Sequence, residues 1–209
     1  MLIELALGLA TATIALPPMT LSVQSGPGLS PIVVRQTMEE AAAIWRTSGV
    51  TLLFEGDDCA SGPVQVVPSV RIQVTFEDKP TAPARIDALP LGWIDFDDQG
   101  DPMRQIHLSP KNATLLMANA EGDGRMNRMT TFERNLLLSR TLGRALAHEL
   151  GHYLLSSKSH TKTGLMKAHR VAADFLGPSR DAFEIEADQR SLVAARLWQA
   201  PERVTVPQD

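Results

Sequence analysis

Cysteine is nearly absent: the 209-residue chain has one, Cys59. A single thiol excludes an intrachain disulfide framework and any zinc site built from several cysteines. No basic stripe is present and the formal net charge is −4, which argues against nucleic acid as a partner. No internal repeat and no low-complexity segment occurs. Only Met1 to Leu16 is almost continuously apolar. That run is shorter than the roughly 20 residues a membrane-crossing helix needs, so no stable membrane span is expected. What is there is ordinary globular composition, 44 % hydrophobic and 21 % charged, at a length that suits one domain with a sizeable core. Histidine is scarce, with five residues, so where they fall matters.

The apolar run ends at Pro17-Pro18, which stop any helix. It suits the apolar region of a secretory signal, with small residues from Ala12 to Ala15 where cleavage could occur. No Lys or Arg precedes it, and Glu4 has the wrong sign for a signal, so a buried first helix is the alternative. Residues 1–20 are read as a signal peptide or an apolar N-terminal segment, and residues 21–209 as a single domain. The expected location is outside the cytoplasm, secreted or periplasmic.

Leu21 to Ser30 carries Ser, Gly and Pro and reads as a linker. Ser30-Pro31 starts a helix, with serine as cap and proline in the first turn. Val34, Met38, Ala41 and Trp45 then share one helical face, and Gly49 stops the helix. Thr51–Phe54 reads as a strand. Val70, Ile72, Val74 and Phe76 alternate with Arg71, Gln73 and Thr75, the pattern of a half-buried strand. Leu91–Phe96 and Arg104–Ser109 are two more strands, joined by turn formers as a hairpin. Ser109-Pro110 opens a helix to about Ala120. Thr130 and Glu133 form a capping box for the longest helix, which runs to about Ser156. A last helix spans roughly Asp181 to Trp198, with Phe183, Ile185, Leu192, Val193 and Leu197 inward. This order reads as α+β: a small, twisted, mostly antiparallel or mixed sheet packed with helices.

The long helix contains His148-Glu149-Leu150-Gly151-His152. Residues four apart on a helix lie one above the other, so the two imidazoles can aim nitrogens at one metal ion. Glu149 projects beside them and can take a proton from a zinc-bound water, whose pKa the metal lowers to about 7. Zinc wants a third protein ligand. The candidates are His160, eight residues after His152, and Glu184 or Glu186 on the last helix.

The run from His148 to His152, then His160, then Gly164-Leu165-Met166, resembles the zinc peptidases called metzincins, whose pattern is H-E-x-x-H-x-x-G-x-x-H followed by a methionine turn. The likeness is close over residues 148–166 and looser upstream. It implies a zincin-like domain with His148, His152 and His160 as zinc ligands, Glu149 as general base and Met166 as an apolar floor under the metal. It implies a zinc-dependent metallopeptidase, an endopeptidase, acting on a peptide or protein substrate. Leu155 stands where metzincins have the glycine of their sharp turn, and the third histidine comes two residues later. The turn is therefore expected through Ser156-Ser157-Lys158-Ser159. The Arg104–Ser109 strand is expected to rim the cleft and offer its edge to an extended peptide.

A rival resemblance is to the gluzincins, because Glu184-Ile185-Glu186-Ala187-Asp188 is similar to their E-x-x-A-D pattern with Glu184 as third ligand. Asp181 and Glu184 also fit a plain helix capping box. His160 is preferred, since a turn and Met166 follow it. Outside the peptidase class stand a non-catalytic zinc-binding protein, stapled by its metal, and an inhibitor or adhesion module with an idle motif. His107 reads as a satisfied strand residue, His169 and Arg144 as surface, and Tyr153 as core.

Overall fold

The computed structural model describes residues 15–25, 28–55, 70–78 and 90–199. Five strands form one sheet: β1 (Met19–Ser25), β2 (Leu52–Phe54), β3 (Val70–Phe76), β4 (Gly92–Phe96) and β5 (Pro102–Leu108). Their spatial order is β2-β1-β3-β5-β4. The helices are α1 (Pro31–Arg46), α2 (Pro110–Glu121), α3 (Asp123–Met126), α4 (Thr131–Leu155), α5 (Ala172–Leu176) and α6 (Ala187–Gln199). The α+β class with a mixed sheet is as expected. Its balance is parallel: β1 pairs in parallel with β2 and β3, and β3 with β5, while the β4–β5 hairpin supplies the antiparallel pairing. Helix α1 carries the chain between β1 and β2, and such a crossover forces the two strands to run the same way.

The sheet buries one face. Met19, Leu21, Val70, Ile72, Val74, Ile106 and Leu108 are all sealed from solvent and alternate with polar residues on their strands. Helices α1 and α4 join them in one core through Ala41, Trp45, Leu142, Leu146 and Leu150. The two helices touch at Gly143, where a Cβ would come within 2.6 Å of the Glu40 Cβ and 2.7 Å of the Thr37 carbonyl. The Trp45 indole N–H donates to the Ala147 carbonyl at 3.1 Å, which pins α1 to α4 just before His148.

The helix starts follow their local signals. Ser30 Oγ accepts from Val33 N–H, and Pro31 fills the first turn of α1. Ser109 caps α2 in the same way. At α4 the Glu133 carboxylate accepts from Thr130 N–H at 2.7 Å, and Thr130 Oγ1 accepts from Glu133 N–H at 3.2 Å. The Thr130 N–H and the Thr130 hydroxyl, both donating to the carboxylate, hold the Glu133 carboxyl below its usual range.

Three expectations are corrected. Leu21–Ser25 is not linker but most of β1, which begins at Met19 and lies between two paired neighbours. The helix expected over Asp181–Trp198 is a single 3-10 turn at Asp181–Phe183, an extended link, and then α6. The Glu184 carbonyl is taken by Leu165 N–H at 2.7 Å, a bond that a continuous helix would have spent on itself. Leu192 is 58 % exposed rather than inward, whereas Phe183, Ile185, Val193 and Leu197 are buried. Third, β5 lies between β3 and β4, so among the described residues the sheet edges are β2 and β4, and the Arg104–Ser109 strand is interior. Among the described residues no helix is long and apolar enough to cross a membrane. Most of the N-terminal apolar run, residues 1–14, lies outside the described residues.

Candidate metal centre

His148 and His152 stand one turn apart on α4, with ring centroids 4.8 Å apart. His160 arrives from the following loop, 5.2 Å from the His148 ring and 4.9 Å from the His152 ring. One nitrogen from each of the three comes within 4.8 Å of the others, a grouping that could hold a metal ion. The loop that returns His160 turns at Ser156, which takes the left-handed conformation (φ 46°, ψ 46°). The amide N–H groups of Ser156 and Ser157 close back on the last turn of α4. Helix α4 therefore runs through Leu155, and the sharp turn falls on the serine after it.

The rings are oriented from behind. His148 Nδ1 lies 2.8 Å from the Leu165 carbonyl oxygen, and His152 Nδ1 lies 2.6 Å from that of Ser157. A carbonyl only accepts, so each Nδ1 carries the proton and each Nε2 keeps its lone pair for a ligand. Burial opposes charging of either ring. The His148 pKa is pushed down from 6.5 to about 4 by desolvation, with the Leu165 bond opposing, and that of His152 is lowered for the same main reason. Both stand neutral, the form a metal requires.

Glu149 is 9 % exposed. Burial alone raises its carboxyl from 4.5 to about 8. Gly92 on β4 makes the room: a Cβ there would lie 3.2 Å from Glu149 Cγ and 3.0 Å from the His107 carbonyl oxygen. Met166 is buried beneath α4 against Gly151, where a Cβ would overlap its sulfur. Phe96 on β4 meets the His152 ring edge-on at 6.4 Å, and Lys158 Nζ lies 4.7 Å above the Phe96 ring.

Glu184 is not in the three-histidine group, and it serves the site through its carbonyl. The Glu186 carboxylate accepts from Thr163 Oγ1 at 2.6 Å. His107 stacks on Trp93 at 4.8 Å and pairs with Glu77 at 2.6 Å, on the sheet face opposite Ile106 and Leu108. His169 is exposed and Tyr153 is core. Arg144 is the correction: it is fully buried, not surface. Its Nε meets Glu40 Oε1 at 3.1 Å, its Nη2 donates to the Ser179 carbonyl at 2.6 Å, and its Nη1 donates to the Asp174 and Phe175 carbonyls. Sequence reading passed over Gly92, Glu40 and Arg170. The partners of Gly92 and Glu40 lie far away along the chain, and Arg170 bonds the carbonyls of Gly164 and Leu165 in a contact that no local motif marks.

The donor set can do specific chemistry. Three imidazole nitrogens suit a borderline-soft divalent ion, and three protein donors, the number among the described residues, would leave a tetrahedral ion one open position. A desolvated carboxyl next to that position can hold or release a proton near neutral pH. No protein-family model matches the chain, and no curated protein does. Among solved structures, it is similar to the crystal structure of archaemetzincin from Methanopyrus kandleri, with 15 % identity over 90 % of this chain and 99 % of that one, at a TM-score of 0.45.

Proposed function

We propose that this chain is a zinc-dependent peptidase with His148, His152 and His160 as ligands and Glu149 as general base. The observation that carries the reading is the pair of imidazoles whose Nδ1 atoms are tied to carbonyls, beside a buried carboxyl whose pKa burial raises. When bound, zinc supplies acidification of a water and polarisation of a carbonyl oxygen. The chain's own residues do the rest. Glu149 accepts the proton of the attacking water and passes it to the leaving amine. Burial suits it to that shuttle, because its proton affinity lies near neutrality. β4, an edge strand among the described residues, offers backbone groups to an extended peptide alongside Glu149 and His152, with Phe96 and Lys158 at its far end. The apolar run Met1–Leu16 supports export as part of the same reading.

Three donors rather than four among the described residues favour catalysis over a structural staple, since structural zinc sites are closed by four protein ligands. The test is zinc per chain by elemental mass spectrometry in the parent, His160→Ala and Glu184→Ala, followed by a peptide-substrate screen with Glu149→Gln. We expect His160→Ala to lose zinc, Glu184→Ala to keep it, and Glu149→Gln to keep zinc while losing roughly 10²–10⁴-fold in kcat. Loss of zinc in Glu184→Ala alone would transfer the third ligand to that glutamate. A zinc-loaded parent without hydrolysis on any peptide would reduce the protein to a metal binder.

A further inference from the structure

Behind His148 lies a half-buried cation that the proposed chemistry does not use. Arg170 follows the Gly164–Met166 turn and folds back over it. Its Nη2 donates to the carbonyl oxygens of both Gly164 and Leu165, the latter at 3.1 Å. Gly164 has φ +65°, a left-handed conformation in which a side chain is strained, and a Cβ there would press on the Glu184 carbonyl at 2.7 Å. The Leu165 carbonyl is the one that accepts from His148 Nδ1. A carbonyl oxygen has two lone pairs, and here one serves His148 and the other Arg170. The Leu165 peptide is also held at its other end, since its N–H donates to Glu184.

Arg170 is itself fixed. Its guanidinium lies 4.0 Å from the centre of the Phe183 ring, which also carries Arg144 at 4.9 Å. Asp174 favours its charge, while burial and Arg144 oppose it. Nε and Nη1 find no hydrogen-bond acceptor among the described residues. A cation so enclosed, with one nitrogen committed to two adjacent carbonyls, fixes where those carbonyls point.

We propose that Arg170 is the positioning residue of the His148 ligand: by clamping the Gly164 and Leu165 carbonyls it holds the acceptor that sets the tautomer and ring orientation of His148. The inference rests on the reading of His148 as a metal ligand. Partners one step behind a ligating histidine typically matter 10- to 100-fold in metal affinity. Arg170 stands one step further back, so the expected effect is about tenfold.

The test uses the full chain. Zinc affinity is read by competition with a chromogenic chelator in the parent, Arg170→Met, Arg170→Lys and His148→Ala. The His148 tautomer is read in metal-free protein by long-range nitrogen–proton NMR. We expect Arg170→Met to weaken zinc about tenfold and to mix the tautomers of His148, Arg170→Lys to restore part of both, and His148→Ala to lose zinc. Parent affinity and a single Nδ1–H tautomer in a folded Arg170→Met would overturn the inference and leave the site reading standing. Parent zinc affinity in His148→Ala would instead sink the site reading, and the inference with it. If Arg170→Met does not fold, Phe183→Leu removes the stacked ring and keeps the guanidinium. A smaller change in the same direction supports the clamp, and parent values on both readouts overturn it.

Discussion

Helix α4 buries two polar centres about one turn apart, and they are built in opposite ways. At Arg144 each guanidinium nitrogen has an acceptor: the Glu40 carboxylate and the carbonyls of Asp174, Phe175 and Ser179. The second Glu40 oxygen is taken by Arg180 at 2.6 Å. At Glu149 a carboxyl is also buried, though less deeply, and its proton affinity is set by burial alone. A satisfied buried charge holds elements together, here α1, α4, α5 and the segment after it. A carboxyl that burial alone holds in its protonated form costs stability once it ionises, and in the proposed function it is the group that moves the proton. The first centre is the frame and the second is the tool.

The largest expected effect breaks the frame. Arg144→Met leaves Glu40 with only Arg180 and strips donors from three carbonyls. Breaking a buried pair from one side costs about 3–5 kcal/mol. For a domain of this size that is roughly a 10 °C fall in Tm, measured by calorimetry on the zinc-loaded chain. A fall of only a degree or two would show that the network is not the frame.

Removing the charge from the tool has the opposite sign for stability. In the metal-free protein Glu149 keeps its proton up to about pH 8, while in the unfolded chain it ionises near 4.5. Between those values the folded state binds the extra proton, so stability falls as pH rises. Glu149→Gln abolishes that fall. His148, lowered from 6.5 to about 4, acts the other way: it withdraws stability as pH drops from about 6.5 to 4. That slope is common to parent and variant, so their difference isolates Glu149. The Tm advantage of Glu149→Gln should be absent at pH 4 and grow steadily from pH 5 to 8 in chelator-treated protein. A difference that stays flat across that range would show that the carboxyl is solvated or paired in solution.

The same contrast explains what could be read from the chain and what could not. The tool is written locally. His148, Glu149 and His152 fall within one helical turn and a half, and His160 follows within a short loop, so spacing alone brings them together. Helix starts at Ser30-Pro31 and at Thr130 with Glu133 are local too. The frame is written at long range. Glu40 and Arg144 are 104 positions apart, and Arg144 reaches acceptors 30 to 35 positions onward, so it reads as surface until the fold is known. β1 was hidden for the same reason: its ladder partners lie in β2 and β3, while its own serines suggest a linker. At Glu184 the local capping pattern misleads, because Leu165 takes its carbonyl from outside. The free sheet edge depends on strand order, which no local pattern carries.

Gly92 sharpens the comparison from the sheet side. Gly92→Ala sets a methyl within 3.0 Å of the His107 carbonyl oxygen and of Leu108, and 3.2 Å of Glu149 Cγ. Overpacking of that kind costs about 1–3 kcal/mol. The nearest atoms belong to His107, Leu108 and Glu149 and to none of the three proposed ligands, so zinc content should be unchanged while kcat for peptide hydrolysis falls about tenfold through displacement of Glu149. Parent kcat with a lowered Tm would mean that the methyl is absorbed by the hairpin and that Gly92 serves packing alone.

The smallest effect concerns the turn between tool and loop. Ser156 adopts φ 46° at the end of α4, where a helix commonly places glycine. A left-handed conformation costs an L-residue roughly 1–2 kcal/mol, and glycine relieves it. Glycine also loses more backbone entropy on folding, by roughly 0.5–1 kcal/mol, so the net gain from Ser156→Gly is about 0.5 kcal/mol. A Tm rise of about 1–2 °C with unchanged zinc affinity is expected. Ser156→Val should move Tm down by more than the glycine moves it up, since a β-branched side chain is strained at positive φ. It should also weaken zinc, because a relaxed turn no longer returns His160 to the other two rings. If valine lowers Tm and leaves zinc affinity intact, the position of His160 is set by the Thr161–Met166 backbone pairing, where Thr161 N–H donates to the Met166 carbonyl at 2.8 Å, and the serine turn is merely tolerated.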